Sequence, residues 1–373
     1  MPFSLRPVQD RDAPALNALH ASVGWPRRSD AGWRWLLNHT ARIEAEAPAG
    51  WLLIDETGEP RGYTGNLVQR FWRGDDALYG ASGYSIVVQP PARGHSRMLL
   101  RAFAEQPGMF ARYTFNANPK SSPLFPRHGL NPWPTRTHAL KLAWRLDTVT
   151  CAAGRLWREV DRRAPQLVDL RHERFLNRRL MDHGPLVLPA GVAVLSDLND
   201  RSQFGDFWNA LRSEGRIIAE RSPAAIRWRL SDPDRTIEPL VLAFNRGDAI
   251  TGYAMAMMAK ANVIEPPVLE ILDLVAFRDE PRAVPALAQA LLTNARALGA
   301  TKVRIQVVNE VLLRQLGPLA ASARREGGWG HCHVHFQPGV EGSESWTPTP
   351  FDGDYQMCLR PVPLDAAVSE RAA

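Results

Sequence analysis

The 373-residue chain has little lysine, little cysteine and no long apolar run. Lysine stands at four positions only, 120, 141, 260 and 302, so the net charge of +6 is carried by arginine dispersed along the chain. No block of five or more like charges occurs, which argues against a nucleic-acid surface. No apolar stretch approaches the ~20 residues that a membrane span requires. The opening MPFSLRPVQD lacks the apolar core of a secretory signal. Cys151, Cys332 and Cys358 are too few and too far apart for a disulfide framework, which leads us to expect a reducing, cytoplasmic compartment. The length exceeds one ordinary domain and suits two.

What is present centres on Tyr84 to Phe103, YSIVVQPPARGHSRMLLRAF. Ile86, Val87 and Val88 are a β-branched run suited to a buried strand. Pro90 and Pro91 end it, because proline lacks the N–H that a ladder needs. Met98, Leu99, Ala102 and Phe103 then repeat at helical spacing. A turn of small residues between a strand and a helix turns backbone N–H groups outward at the positive end of the helix dipole, which suits phosphate.

Val88-x-Pro90-x-x-Arg93-Gly94-His95-Ser96-Arg97-Met98 resembles the coenzyme A turn of the GNAT superfamily of N-acyltransferases, V-x-P-x-x-R/Q-x-x-G-x-G/A. Ser96 replaces the first family glycine and Met98 the second small residue. Other segments follow in the family's order. Leu5-Arg6-Pro7 and Asp10-Arg11-Asp12 resemble its opening strand and helix. Trp51 to Tyr63 reads as a hairpin turning at Gly58. Asn118-Pro119-x-Ser121-x-x-x-Phe125-x-x-x-Gly129 is similar to its N-x-x-S/A-x-x-x-Y-x-x-x-G segment. The resemblance implies that Arg93, Gly94, His95, Ser96, Arg97 and Met98 hold the pyrophosphate. It further implies that the backbone of Ile86, Val87 and Val88, with Asn118, holds the pantetheine arm. Phe125 stands where the family has the tyrosine that protonates the leaving thiolate, so the usual general acid is missing.

The order of elements recurs. Arg34-Trp35 precedes a hairpin whose second strand begins Gly62-Tyr63; Arg227-Trp228 precedes one at Gly252-Tyr253. Gly62 to Asn118 and Gly252 to Asn309 span 56 and 57 residues. The reading is therefore α/β, two tandem GNAT-like domains, each a mixed twisted sheet flanked by helices. Expected bounds are 1–146 for the first, 147–188 for a helical connector, 189–364 for the second and 365–373 for a frayed tail. In the second copy Phe277-Arg278-Asp279-Glu280 replaces the turn, and its carboxylates would repel phosphates, so that CoA site reads as degenerate.

Three further stretches are candidates. His331, His333 and His335 alternate on one strand face; without a fourth ligand they read as a solvated face, and no metal is expected. Trp33, Trp35, Tyr84, Asp352 and Asp354 are the acceptor-side candidates, although Asp352-Gly353-Asp354 is foremost a turn signature. Glu270 and Asp273 are an odd number of positions apart, which places them on opposite faces of a strand. The resemblance implies transfer of an acyl group, acetyl first among them, from acetyl-CoA or another acyl-CoA to a primary amine of a small molecule. A non-catalytic sensor or scaffold, and a CoA-thioester decarboxylase or hydrolase, are the alternatives. No nucleic-acid or membrane partner is expected.

Overall fold

The computed structural model describes residues 3–164, 185–235, 237–260 and 266–359. The expected tail, 365–373, and residues 165–184 of the connector lie outside them; the described part of the connector includes a helix, Thr148–Arg163, capped by Asp147. The strands of the first half are β1 (Ser4–Pro7), β2 (Gly50–Ile54), β3 (Pro60–Arg73), β4 (Asp76–Val88), β5 (Ala111–Ala117), β6 (Asn131–Pro132) and β7 (Lys141–Arg145). Those of the second half are β8 (Val192–Val194), β9 (Ile217–Ala219), β10 (Leu240–Arg246), β11 (Ala249–Ala259), β12 (Val268–Ala276), β13 (Lys302–Ile305), β14 (Arg324–Glu326) and β15 (His331–Phe336).

They form two mixed sheets with flanking helices. One runs β1-β2-β3-β4-β5-β15-β6 with β9 on β3; the other runs β14-β7-β13-β12-β11-β10-β8. In each, one parallel pair (β4 with β5, β12 with β13) interrupts antiparallel neighbours. The repeat seen in the sequence extends to the helix caps. Ser29 caps Asp30–Leu37 by accepting from Gly32 N at 2.9 Å, and Ser222 caps Pro223–Leu230 from Ala225 N at 3.2 Å. Each serine lies six residues before its tryptophan, Trp35 or Trp228.

The contiguous bounds expected from the sequence do not describe these units. The first comprises Met1–Ala139, Trp208–Asp234 and Gly327–Tyr355; the second comprises Leu140–Phe207, Arg235–Glu326 and Gln356–Ala373. The reason is strand exchange. β7, from the first half of the chain, pairs with β13 and β14. β15, from the second half, pairs with β5 and β6.

In the first unit, helix Ser96–Glu105 buries Leu99, Leu100 and Phe103 on a core with Leu53, Val68, Ala81 and Phe125. Each such side chain contributes roughly 1.5–3 kcal/mol. That packing holds the preceding turn against the end of β4. In the second unit, helix Ala283–Ala295 buries Val284, Leu287 and Leu291 on Leu242, Ile271 and Ile305.

Candidate functional site

β4 begins well before the predicted Ile86–Val88 run and pairs with β5 from Gly80↔Ala111 to Ser82↔Tyr113, where the parallel ladder stops. On its other edge β4 carries a bulge: Ser85 and Ile86 together oppose the single residue Thr64 of β3. Ser85 sits at φ +52°, a left-handed conformation that costs an L-residue energy. A bulge bends its strand and increases the local twist. The bent end of β4 therefore departs from β5 and leaves the Ser85–Val88 edge without a ladder partner on that side. A strand edge of this kind has backbone N–H and C=O groups to offer an extended ligand.

β4 leads into a short 3₁₀ turn, Pro90–His95, and then directly into helix Ser96–Glu105. The sequence is read as strand, turn and helix here, and two consecutive prolines fix φ at the start of the turn. Arg93, Gly94 and Arg97 are exposed. Among the described residues neither arginine is in an ion pair. A Cβ built on Gly94 meets nothing within 4 Å. His95 packs on Phe3 with ring centroids 4.3 Å apart. Met98 is half-buried against the core of the unit and so does not stand in the turn.

Asn118 follows β5 and closes its own turn: its Oδ1 accepts from Lys120 N and Ser121 N, each at 2.9 Å. That oxygen is engaged within the chain. Phe125 lies on the 3₁₀ helix Ser122–His128, buried, with its ring stacked on His333 at 5.3 Å.

The histidine strand departs from the reading. β15 is an interior strand, so His333 is 2 % exposed and Cys332 is buried beside it, not part of a solvated face. A bulge between His331 and His333 lets both imidazoles reach one residue. Ser122 Oγ lies 2.8 Å from His333 Nε2 and 3.0 Å from His331 Nδ1. Burial, then the neighbouring His138 and His331, lower the His333 pKa to about 4, so its ring is neutral near pH 7. Sequence reading missed this group. The available signal was position, since Ser122 precedes Phe125 by three residues inside the motif. Among the described residues no group of three or more His, Cys, Asp or Glu is placed to hold a metal ion.

The acceptor-side candidates are not gathered into a cavity. Trp33 is 1 % exposed and donates to Asn17 Oδ1 at 3.0 Å, while Trp35 stacks on Trp228 at 4.5 Å. Both are packing residues. Tyr84 shares a hydroxyl contact of 3.0 Å with Tyr63, and its ring occupies the space that a Cβ at Gly65 would take. Asp352 is 1 % exposed and pairs with Arg221, with Trp346 Nε1 donating to it at 2.8 Å. Asp354 is buried as well. These aspartates belong to the interior and do not offer a surface for an ammonium. An open cleft of about 940 Å³ lies at the other end of helix Ser96–Glu105, beside Tyr79, Arg127 and His128, away from the turn.

The second unit shows the same splay with a different end. β12 and β13 pair only from Val268↔Lys302 to Ile271↔Ile305, and Leu272 is an extra residue on β12. That bulge overturns the alternation argument. Glu270 and Asp273 face Met257 and Met255, two apart on β11, and so share a face. Each has its own partner, Arg304 for Glu270 and the Tyr253 hydroxyl for Asp273. At the following turn the Glu280 carboxylate accepts from Arg282 N at 3.3 Å. The chain's own anion stands at the entrance of helix Ala283–Ala295.

No helix among the described residues is long and apolar enough to cross a membrane. No family model and no curated protein matches the sequence. Solved structures do match in fold. A GCN5-related N-acetyltransferase from Anabaena variabilis gives a TM-score of 0.54 at 12% identity, over 89% of this chain and 72% of that one. A probable N-acyltransferase from Enterococcus faecalis gives 0.53 at 9%, over 90% and 73%. The N-myristoyltransferase of Saccharomyces cerevisiae, solved with bound myristoyl-CoA, gives 0.52 at 10%, over 98% and 85%. With the two splayed sheets and the repeated element order, these likenesses show a GNAT-like fold, built twice in tandem.

Proposed function

We propose that the chain transfers an acyl group from an acyl-CoA thioester to a primary amine of a small molecule, using one CoA site in the first unit. The observation that carries this is the sequence of features along β4. A bulged strand leaves its partner, and its free edge runs into an open turn with two exposed arginines at a helix N-terminus. An extended arm fits the edge. Arg93, Arg97 and the turn amides suit a pyrophosphate. An N–H of the Ile86–Val88 edge would polarise the thioester carbonyl. The named neighbours, N-acetyltransferases and an N-myristoyltransferase with myristoyl-CoA, support the same chemistry. In the second unit Glu280 occupies the corresponding helix entrance, and like charge excludes phosphate there.

The residues left at the splay supply no carboxylate base, so positioning of a neutral amine against the thioester is the main catalytic contribution. The test is thiol release from acetyl-CoA and from a longer acyl-CoA, each with and without a panel of primary amines. Release that requires an amine supports the transferase. Release with acyl-CoA alone replaces it by a thioester hydrolase or decarboxylase. No release and no binding replaces it by a scaffold.

A further inference from the structure

The cleft at the far end of helix Ser96–Glu105 contains a buried cation that no carboxylate of the described residues matches. Arg112 lines it and is 5 % exposed. The residue lies on β5, an interior strand, in register with Ala81 of β4 on one side and His335 of β15 on the other. A guanidinium is almost never buried this far without an acidic partner. Its Nε and Nη2 both donate to the carbonyl of Gln106, the residue that ends the helix, and its Nη1 donates to Gln337 Oε1 at 2.7 Å. The carbonyl end of a helix carries about half a negative charge, so it offsets only part of the guanidinium. Burial lowers the Arg112 pKa, and no carboxylate acts to raise it. One N–H on each Nη is left without a partner among the described residues.

The rest of the lining has the same sense. Arg127 is exposed and makes no ion pair among the described residues. Glu105 is the one carboxylate among the lining residues, and Arg101 holds it at 2.9 Å. Gln337 turns its Oε1 to Arg112, which leaves its amide N–H groups to face elsewhere. Leu78, Met109, Phe110 and Val340 supply apolar surface, and the volume of about 940 Å³ is ample for a small molecule. Donors beside apolar surface suit an organic anion. The helix C-terminus and Glu105 oppose dense negative charge, which favours a single charge over the two of a phosphate. We propose that this cleft is a second ligand site, for a singly charged organic carboxylate with a compact apolar body, held at its carboxylate by Arg112 and Gln337. The helix separates it from the turn at Arg93 by roughly 15 Å, at 1.5 Å per residue. The site therefore stands apart from the proposed transfer reaction and does not depend on it.

Calorimetry on the full chain, with 2-naphthoate, its neutral analogue 2-naphthalenemethanol and inorganic phosphate as probes, reads the site. 2-Naphthoate should bind at least about tenfold more tightly than the alcohol, which lacks the charge-assisted hydrogen bonds. Phosphate should bind more weakly than 2-naphthoate. Gln337→Glu places a carboxylate where Arg112 already has an acceptor. That variant should melt no lower than the wild type and should weaken 2-naphthoate at least about tenfold, because the cation is then matched from within. Should it not fold, Arg127→Glu, at an exposed position, makes the same test. Arg93→Glu, at the distant turn, should leave 2-naphthoate binding within about twofold. Equal affinity for the acid and the alcohol overturns the proposal, as does phosphate binding as tight as that of 2-naphthoate. Unchanged binding in Gln337→Glu, or in Arg127→Glu where that variant stands in for it, also overturns it. So does loss of binding in Arg93→Glu, which would place the probe at the CoA turn, or failure of the wild-type chain to bind 2-naphthoate.

Discussion

Gly94 is where the sequence motif and the structure can be separated at a single residue. Its backbone is in an ordinary conformation, and an added side chain meets no protein atom within 4 Å. A glycine there is not needed for folding. Gly94→Leu should leave the folding stability within the ~0.5 kcal/mol that is usual for surface changes, read by thermal melting. It should weaken acetyl-CoA binding at least tenfold, read by calorimetry. A loss of stability with binding retained would mean that the turn serves packing alone. Gly65 is the opposite case, because a Cβ there would sit 2.2 Å from the Tyr84 ring and must displace it. The motif was legible at Arg93 and Gly94 because both are local features of a turn. Met98 was legible as a departure from the family, but its half-buried place against the core was not, since a side chain's direction depends on the helix axis the fold imposes.

Elements were read well where the signal is periodic and badly where a bulge or a distant partner decides. The β2–β3 hairpin turns at Gly58, φ +86°, as its sequence indicates. Glu270 and Asp273 were misplaced because one extra residue, Leu272, resets the alternation. Asp352 was misplaced because its partner, Arg221, lies 131 positions away and no local pattern announces it. Residues that favour turns when exposed form here a buried charge pair with both members 1 % exposed. Removing one member of such a pair leaves the other charge uncompensated, at about 3–5 kcal/mol. Asp352→Ala should therefore lower the urea midpoint by a corresponding amount and reduce activity only through loss of folded protein. A normal midpoint with a raised KM for the amine would restore Asp352 as an acceptor contact.

At the scale of the whole molecule the sequence shows a repeat, and the structure shows that the repeats are not separable. Each sheet needs a strand from the other half, β7 in one and β15 in the other. Pairing of this kind is invisible to spacing arguments, because a strand reads the same whichever sheet receives it. A fragment ending at residue 146 would carry β7 without a sheet and leave the β5 edge open. It should be insoluble or should bind a hydrophobic dye as a loosely packed chain; a cooperative unfolding transition in that fragment would contradict the exchange. The two units also differ at the point that matters for the proposed function, since Glu280 stands at the helix entrance of the second splayed sheet while Arg93 and Arg97 lie exposed at that of the first. The most direct test is calorimetric titration of acetyl-CoA into the full chain, repeated with Arg93→Glu and Arg278→Glu. We expect a stoichiometry near one, abolished by Arg93→Glu and unaffected by Arg278→Glu. Two sites of similar affinity, or binding that survives Arg93→Glu, would contradict a single site at the first unit's turn.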